Sequence, residues 1–340
     1  MPFKLKPLHQ QVVVVTGASS GNGLAITEAA TRKGAAVVMA ARSSATLEEI
    51  AARLRADGAR IAICVADVAE DDAAERIAAT SVEAFGGFDT WVNNAAAGAY
   101  GTLEQLSLAE HRRIMDVNYF GLLSGSLVAA RHLRERGGAI INIGSVLGDG
   151  TMLLQGAYSA SKHAVQAATE ALRMELEEEG APVSVTLIQP AAMHTPYPER
   201  ARTYLNKPPR LPALLYNPRL VADAVLFAAQ HRRRTLRVGS AGQWISIGRA
   251  VAPATSEWLL ERFGRLVQVS TQRGKEEWRD ALYQPRPAGA IEGSQKLFVR
   301  RQSYLLQAQK YPKATALLLA CLGAVAIAAV NDRARRRQGH

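Results

Sequence analysis

The sequence predicts an α/β fold: a doubly wound parallel sheet of about seven strands, with helices on both faces and a mainly helical C-terminal extension. Three observations carry this expectation. Short β-branched runs alternate with longer helix-like stretches over the first 240 residues. The runs are apolar on both faces, as strands covered by helices on both sides must be. A glycine-rich turn joins the first run directly to a helix, which is how such sheets begin.

In order, the strands are read at "VVVVT" (12–16), "AAVVMAA" (35–41), "IAICVAD" (61–67), "TWVNN" (90–94), "AIINIGS" (139–145), "VSVTLIQ" (183–189) and "TLRVG" (235–239). Helices are expected at 46–56, 70–85, 107–136 and 158–179, and right-handed crossovers between strands then give the doubly wound arrangement. A further helix follows Asn217 as cap, with Pro218 at its first position. Residues 193–217 break the alternation with five prolines and several large apolar side chains. That connection leaves the carboxyl end of a strand, where ligands bind in such sheets, so it reads as a substrate lid.

Charge divides the chain. The net charge is +11, yet residues 231–340 alone hold 20 Lys and Arg against 7 Asp and Glu. The surplus suits an anionic surface, and no recognition motif or basic–aromatic alternation points to nucleic acid. Cys64 and Cys321 have neither metal-site nor disulfide-framework spacing. The N-terminus shows no apolar signal core, so a reducing cytoplasm is the expected setting.

The chemistry is concentrated in a few short stretches. "TGASSGNG" (16–23) places Gly17, Gly21 and Gly23 so that backbone N–H groups can approach a pyrophosphate at a helix N-terminus. The fold is therefore expected to be Rossmann-type. The second strand ends in Ala41 and Arg42, where a protein choosing NAD would offer a carboxylate to the ribose 2′-hydroxyl. A guanidinium there suits a 2′-phosphate, so NADP(H) is the expected preference over NAD(H). Tyr158 and Lys162, four apart in "AYSASKHA", fall on one helical face. A nearby ammonium favours the ionised phenol and so lowers its pKa, as a general acid or base near neutral pH needs.

With these motifs in order, residues 10–240 resemble a short-chain dehydrogenase/reductase of the single-domain type. The resemblance assigns Gly17, Ser19, Ser20, Gly21, Asn22 and Gly23 to the nucleotide loop, and Asp67 with Val68 to the adenine-contacting turn. It places Asn94, in "NNAAAG" (93–98), beside the cofactor, and gives Thr195, in "PAAMHT" (190–195), the nicotinamide carboxamide. Asn118, Ser145, Tyr158 and Lys162 fall where the family keeps its catalytic tetrad. Tyr158 is then the proton carrier and Ser145 a second hydrogen bond to the substrate oxygen. Lys162 lowers the Tyr158 pKa and holds the nicotinamide ribose, while Asn118 holds a water in the proton path. Asn22, Ala96 and Ala191 depart from the family's aliphatic residue and two glycines without removing a chemical group. The implied activity is hydride transfer between NADP(H) and a small apolar carbonyl or secondary alcohol, by a homo-oligomer. The rival reading is a non-catalytic dinucleotide-binding regulatory or scaffold protein of the same fold.

The domain reading is a catalytic unit over 8–245, a basic extension over 246–312, and an apolar helix with a basic tail over 313–340. Residues 314–330 carry no charge and one polar residue, Thr315, between Lys310 and Lys313 on one side and Arg333, Arg335, Arg336 and Arg337 on the other. As a helix the run would reach about 25 Å, short for a bilayer core of about 30 Å. It is expected to seat the enzyme on an anionic membrane surface.

Overall fold

The computed structural model describes residues 3–212, 214–270, 279–286, 289–317 and 320–321. Seven parallel strands form the central sheet: β1 (Val12–Thr16), β2 (Ala36–Ala41), β3 (Ile61–Val65), β4 (Thr90–Asn93), β6 (Gly138–Ile143), β7 (Val183–Pro190) and β10 (Thr235–Val238). Their order is β10-β7-β6-β4-β1-β2-β3. Two-residue strands make two small outlying pairs, β5 (Ala99–Tyr100) with β8 (Arg202–Thr203) and β9 (Leu215–Tyr216) with β11 (Val299–Arg300). The chain runs outward from β1 to β3, then returns to lay β4 on the other side of β1. That reversal opens a crevice at the carboxyl ends of β1 and β4.

Alternation along β1 shows why the sheet needs two covers. Val13 and Val15 enter one core with Leu24 and Ile26 of α1 (Gly21–Arg32) and Leu47 of α2 (Ser44–Ala56). Val14 enters the other, with Ile77 of α3 (Ala73–Phe85), Leu133 of α5 (Gly121–Leu133) and Leu172 of α6 (Gly156–Glu178). Burying each such side chain contributes about 1.5–3 kcal/mol, and both faces are needed to collect it.

All seven expected strands are present, with ends moved by one or two residues. The helix expected at 107–136 is interrupted. After α4 (Leu108–Met115) the backbone takes a π turn over Asp116–Phe120 before α5 begins. Such a bulge re-aims a side chain within a helix, and here it buries Asn118 completely. At the Asn217 cap, the Asn217 side chain accepts the Arg219 N–H at 2.9 Å, and α8 runs from Arg219 to Ala228.

The segment 193–217 is a pinned cover rather than a free lid. It contains the short helix α7 (Tyr197–Arg200), and Leu211, Leu215 and Tyr216 are buried in the body. Beyond β10 come α9 (Ala241–Val251) and α10 (Pro253–Gln268), then α11 (Tyr304–Lys310), which packs on β10. Between α10 and α11 the chain returns across the carboxyl end of the sheet, where Leu282 is buried with Ala99, Leu106, Ile114 and Ala157. We call residues 279–286 and 289–295 the strap. Among the described residues no helix is long and apolar enough to cross a membrane; most of the apolar run at 314–330 lies outside them.

Candidate active site

The crevice beside β1 is a cleft of about 220 Å³, and its walls include Gly17, Ser19, Ser20, Gly21, Asn22, Arg42, Asp67, Val68, Asn94 and Thr195. These are ten of the residues the sequence assigned to the cofactor, brought together from five separate stretches. Gly17 has φ of +65°, a left-handed backbone that side chains disfavour. At Gly23 a Cβ would stand 2.1 Å from the Gly17 carbonyl oxygen, so only glycine lets the helix start this close to the strand. Asn94 locks the turn by donating to the carbonyls of Thr16 at 2.9 Å and Gly17 at 3.3 Å.

The residues expected to be catalytic sit at the same end of the sheet. Ser145 follows β6 and caps a short 3-10 turn, accepting the Leu147 N–H at 3.1 Å. It stands near enough to Tyr158, in the first turn of α6, to act on the titration of that phenol. Lys162, one turn on and 2 % exposed, donates to the Ile143 carbonyl at 2.9 Å and lies 5.6 Å from the centre of the Tyr158 ring. Asn118 accepts from Ala97 N–H at 2.7 Å and donates to Ala97 O and Ser161 Oγ, each at 2.9 Å. Both amide protons are thereby used, so the side chain braces Ala97 against α6, and any water it serves binds through another atom.

The electrostatics correct one expectation. Burial pushes the Tyr158 phenol up to about 12, against the opposing hydrogen bond from Ser145. No lowering by Lys162 appears against that burial; burial also drives the ammonium down to about 8, which leaves it mostly charged at neutral pH. The i, i+4 spacing is as read; the low dielectric around it was not visible in the sequence.

Several residues that sequence reasoning missed hold the cleft in shape. Glu110 of α4 is 3 % exposed. It accepts from Tyr204 Oη at 2.7 Å, Arg202 Nη1 at 2.6 Å and Ser107 N–H at 2.7 Å. Burial alone would raise its carboxyl, but these bonds prevail and hold it at about 2. Arg113 pairs with Asp67 and donates to Leu282 O at 3.1 Å. Arg42 donates to the main-chain carbonyls of Ala281, Leu282 and Tyr283, with Asp67 3.7 Å away. The strap reaches the glycine loop itself: Gly21 N–H donates to Ala290 O, and Gly289 N–H to Ser19 O, both at 2.9 Å. The only advance signal was the Ser107–Glu110 capping-box spacing; carbonyl acceptors carry no side-chain signature. Of the large side chains of 193–217, Tyr197 lines the cleft, while Leu211, Leu215 and Tyr216 pack inward.

A dinucleotide fits what is present. Two buried polar atoms without a hydrogen-bond partner, Asn22 Oδ1 and Tyr197 Oη, belong to side chains lining this cleft. A buried unpaired group of that kind costs about 1–3 kcal/mol, a cost that a bound ligand can remove.

Comparison with known proteins agrees with the geometry. Residues 11–205 match the short chain dehydrogenase family model. An uncharacterized oxidoreductase of Bacillus subtilis is 40% identical over 329 residues, covering 96% of this chain and 92% of its own. Among solved structures, an alcohol dehydrogenase from Thermococcus sibiricus complexed with 5-hydroxy-NADP aligns with TM-score 0.60 and 27% identity, over 68% of this chain and 97% of that one. A short chain dehydrogenase/reductase from Burkholderia phymatum in complex with NAD aligns with TM-score 0.63 and 26% identity, over 81% and 100%. With its parallel sheet, glycine turn and Ser145–Tyr158–Lys162 cluster, the chain belongs to the short chain dehydrogenase family and is an oxidoreductase acting between alcohols and carbonyls.

Proposed function

We propose that the protein is an NADP(H)-dependent reductase that converts a small apolar carbonyl compound to a secondary alcohol. The observation that carries this is the Ser145–Tyr158–Lys162 cluster, whose Tyr158 packs on Tyr197 of the cleft wall. Gly17, Gly21, Gly23 and Asn94 would hold the dinucleotide's pyrophosphate side, Arg42 with its neighbours the adenosine end, and Thr195 and Lys162 the nicotinamide end. Ala41 and Arg42 end β2 without the carboxylate that a 2′-phosphate would meet as repulsion, which supports NADP(H) over NAD(H). When bound, the nicotinamide supplies the hydride.

The chain's own part is the proton. At neutral pH the Tyr158 hydroxyl, held at about 12, keeps its proton and can donate it from Oη to the substrate oxygen. Ser145 Oγ donates a second hydrogen bond to that oxygen and orients it. The Lys162 ammonium, beside the ring, offsets the charge left on Tyr158 Oη as the proton leaves. Tyr100 and Tyr197 flank Tyr158, with ring centres of Tyr158 and Tyr197 5.6 Å apart, and give the substrate an apolar wall.

The fuller reading includes a membrane-seeking C-terminal third. Trp258, Leu259, Phe263 and Leu266 of α10 are exposed, which supports it, ahead of the apolar run at 314–330. Fractionation of the full chain against one ending near Tyr311 tests that seat; a full chain that stays in the low-salt soluble fraction overturns it. The catalytic reading is tested by offering ketones and aldehydes with NADPH or NADH and following loss of the reduced nicotinamide. Turnover of any carbonyl, faster with NADPH, is expected; dinucleotide binding without turnover across the panel would favour a regulatory binder.

A further inference from the structure

We propose that Gln268, in the C-terminal helix α10, is a positioning residue for Tyr158: it pins the strained turn that leads into α6 and so braces the site from outside the sheet. The inference rests on the reading of Tyr158 as the proton donor, and it gives the C-terminal extension a part in the chemistry.

The loop between Ser145 and Tyr158 carries one unusual backbone conformation. Leu154 has φ of +67° and is the one non-glycine residue with a positive φ among the described residues. A left-handed leucine brings its Cβ against a carbonyl oxygen, so the conformation persists only where the surroundings over-determine it. Leu154 is buried, and its carbonyl accepts the Gly101 N–H at 2.9 Å. The carbonyl just before it, that of Leu153, accepts from Gln268 Nε2. The residue just after it, Gln155, donates from Nε2 to Gln268 Oε1 at 2.6 Å. Gln268 thus holds both neighbours of the strained residue, and Gly101 holds the residue itself.

Gln155 is the N-cap of α6, and its carbonyl accepts the Ser159 N–H at 2.9 Å. Tyr158 lies inside the turn which that bond closes, so a slip at Gln155 re-aims the phenol. Gln268 is built to prevent it. Its side chain is buried, and Nε2 also donates to Gly264 O at 3.3 Å, so donors and acceptor are all in use. Losing a buried amide so engaged leaves its partners unpaired. At Gly264, one turn back, a Cβ would stand 3.2 Å from Leu153 Cβ, and its absence lets α10 come down onto the loop. The cover at 193–217 meets the same point: Arg210 N–H donates to Gln268 O at 2.7 Å, and Ser270 N–H to Pro208 O at 3.0 Å. Nearer Ser145 the loop is held from the same extension, where Ser246 of α9 donates to Asp149 Oδ2 at 2.9 Å.

The test uses the full chain with NADPH and the fastest of three probe carbonyls, cyclohexanone, acetophenone and benzaldehyde. Gln268→Ala is expected to lower kcat by roughly tenfold or more, the scale on which a misplaced reacting group is felt, with NADPH affinity unchanged. The deuterium isotope effect on kcat should rise, because the chemical step becomes more limiting. Gln268→Glu, which keeps the acceptor for Gln155 and loses the donor to Leu153, is expected to fall between. A double-variant cycle separates positioning from mere packing. In a Tyr158→Phe background, Gln268→Ala should cost less than about twofold, since the group it aims is gone. An undiminished loss in that background, or a loss of NADPH affinity with kcat kept, overturns the proposal, as does a folded Gln268→Ala with wild-type kcat. Should that variant fail to fold, Gln155→Ala breaks the same contact from the other side and must show the same cycle; wild-type kcat there overturns the proposal. Full turnover by Tyr158→Phe alone, or no turnover of any probe by wild type, overturns the proton-donor reading itself, and the positioning role with it.

Discussion

Helix α6 and the strap meet where Ala157 packs with Leu282, and they are held by opposite means. α6 spans 23 residues from Gly156, with Val165, Leu172 and Leu176 packed inside and Tyr158 and Lys162 in its first turns. The strap has almost no regular structure. Among its fastenings are one buried leucine, Leu282, arginines of the body that reach its carbonyls, and main-chain bonds to Ser19 and Gly21. The difference separates two jobs. Proton transfer needs atoms fixed by a rigid element, whereas cofactor entry needs a segment whose contacts can be exchanged one at a time.

The sharpest way to break that division is Tyr158→Phe. It removes the hydroxyl and keeps the ring, so turnover should fall by about a hundredfold or more while NADPH affinity is unchanged. Loss of affinity with retained turnover would place the tyrosine in binding rather than chemistry. Next is Leu282→Ala. A buried leucine truncated to alanine costs about 2–5 kcal/mol, and here the cost should fall on strap docking. Limited proteolysis should then cut within 279–295 first, and NADPH affinity should drop, with little change in the melting of the sheet. A matching drop in global stability would mean that strap and body unfold as one unit.

Much of this was legible before the structure, and the reason is physical. The strands show because they are buried on both faces, as at Val13, Val14 and Val15. The candidate site shows because Gly17, Gly23, Ser145, Tyr158 and Lys162 are marked by residue type and spacing. What stayed hidden acts through the main chain or through burial. Nothing in "ALYQP" marks Ala281, Leu282 and Tyr283 as acceptors for Arg42. The π turn at Asp116–Phe120 leaves the helical pattern intact in sequence. The Tyr158 shift depends on desolvation that no spacing encodes.

Two pH effects sharpen the comparison further. Glu110 fastens the lid, and its carboxyl is held at about 2 in the fold against an ordinary 4.5. Its contribution to stability is therefore complete above about 4.5 and is lost as pH falls toward 2. Glu110→Gln should flatten the acid arm of a stability curve in that window and raise KM more than it lowers kcat. In α6, Lys162 is held at about 8 against 10.5, so its buried charge penalises the fold below about 8. That penalty fades as pH rises toward 10.5, because the unfolded chain binds the extra proton there. Tyr158 opposes it only above its ordinary 10, where the fold retains a proton up to about 12 that the unfolded chain releases. Lys162→Met should remove the small rise in stability between about 8 and 10, a change that urea titrations at stepped pH can read.

The most direct test of hydride transfer follows the hydride itself. NADPH carrying deuterium at nicotinamide C4, prepared in each of the two stereochemical forms, is given to the full chain with a reducible ketone, and the alcohol is read by mass spectrometry. Deuterium should appear at the carbinol carbon from one form and not from the other, and Tyr158→Phe should slow its appearance by about a hundredfold without changing which form is used. Alcohol formed without label from either form, or labelled equally from both, would contradict transfer within an ordered cleft.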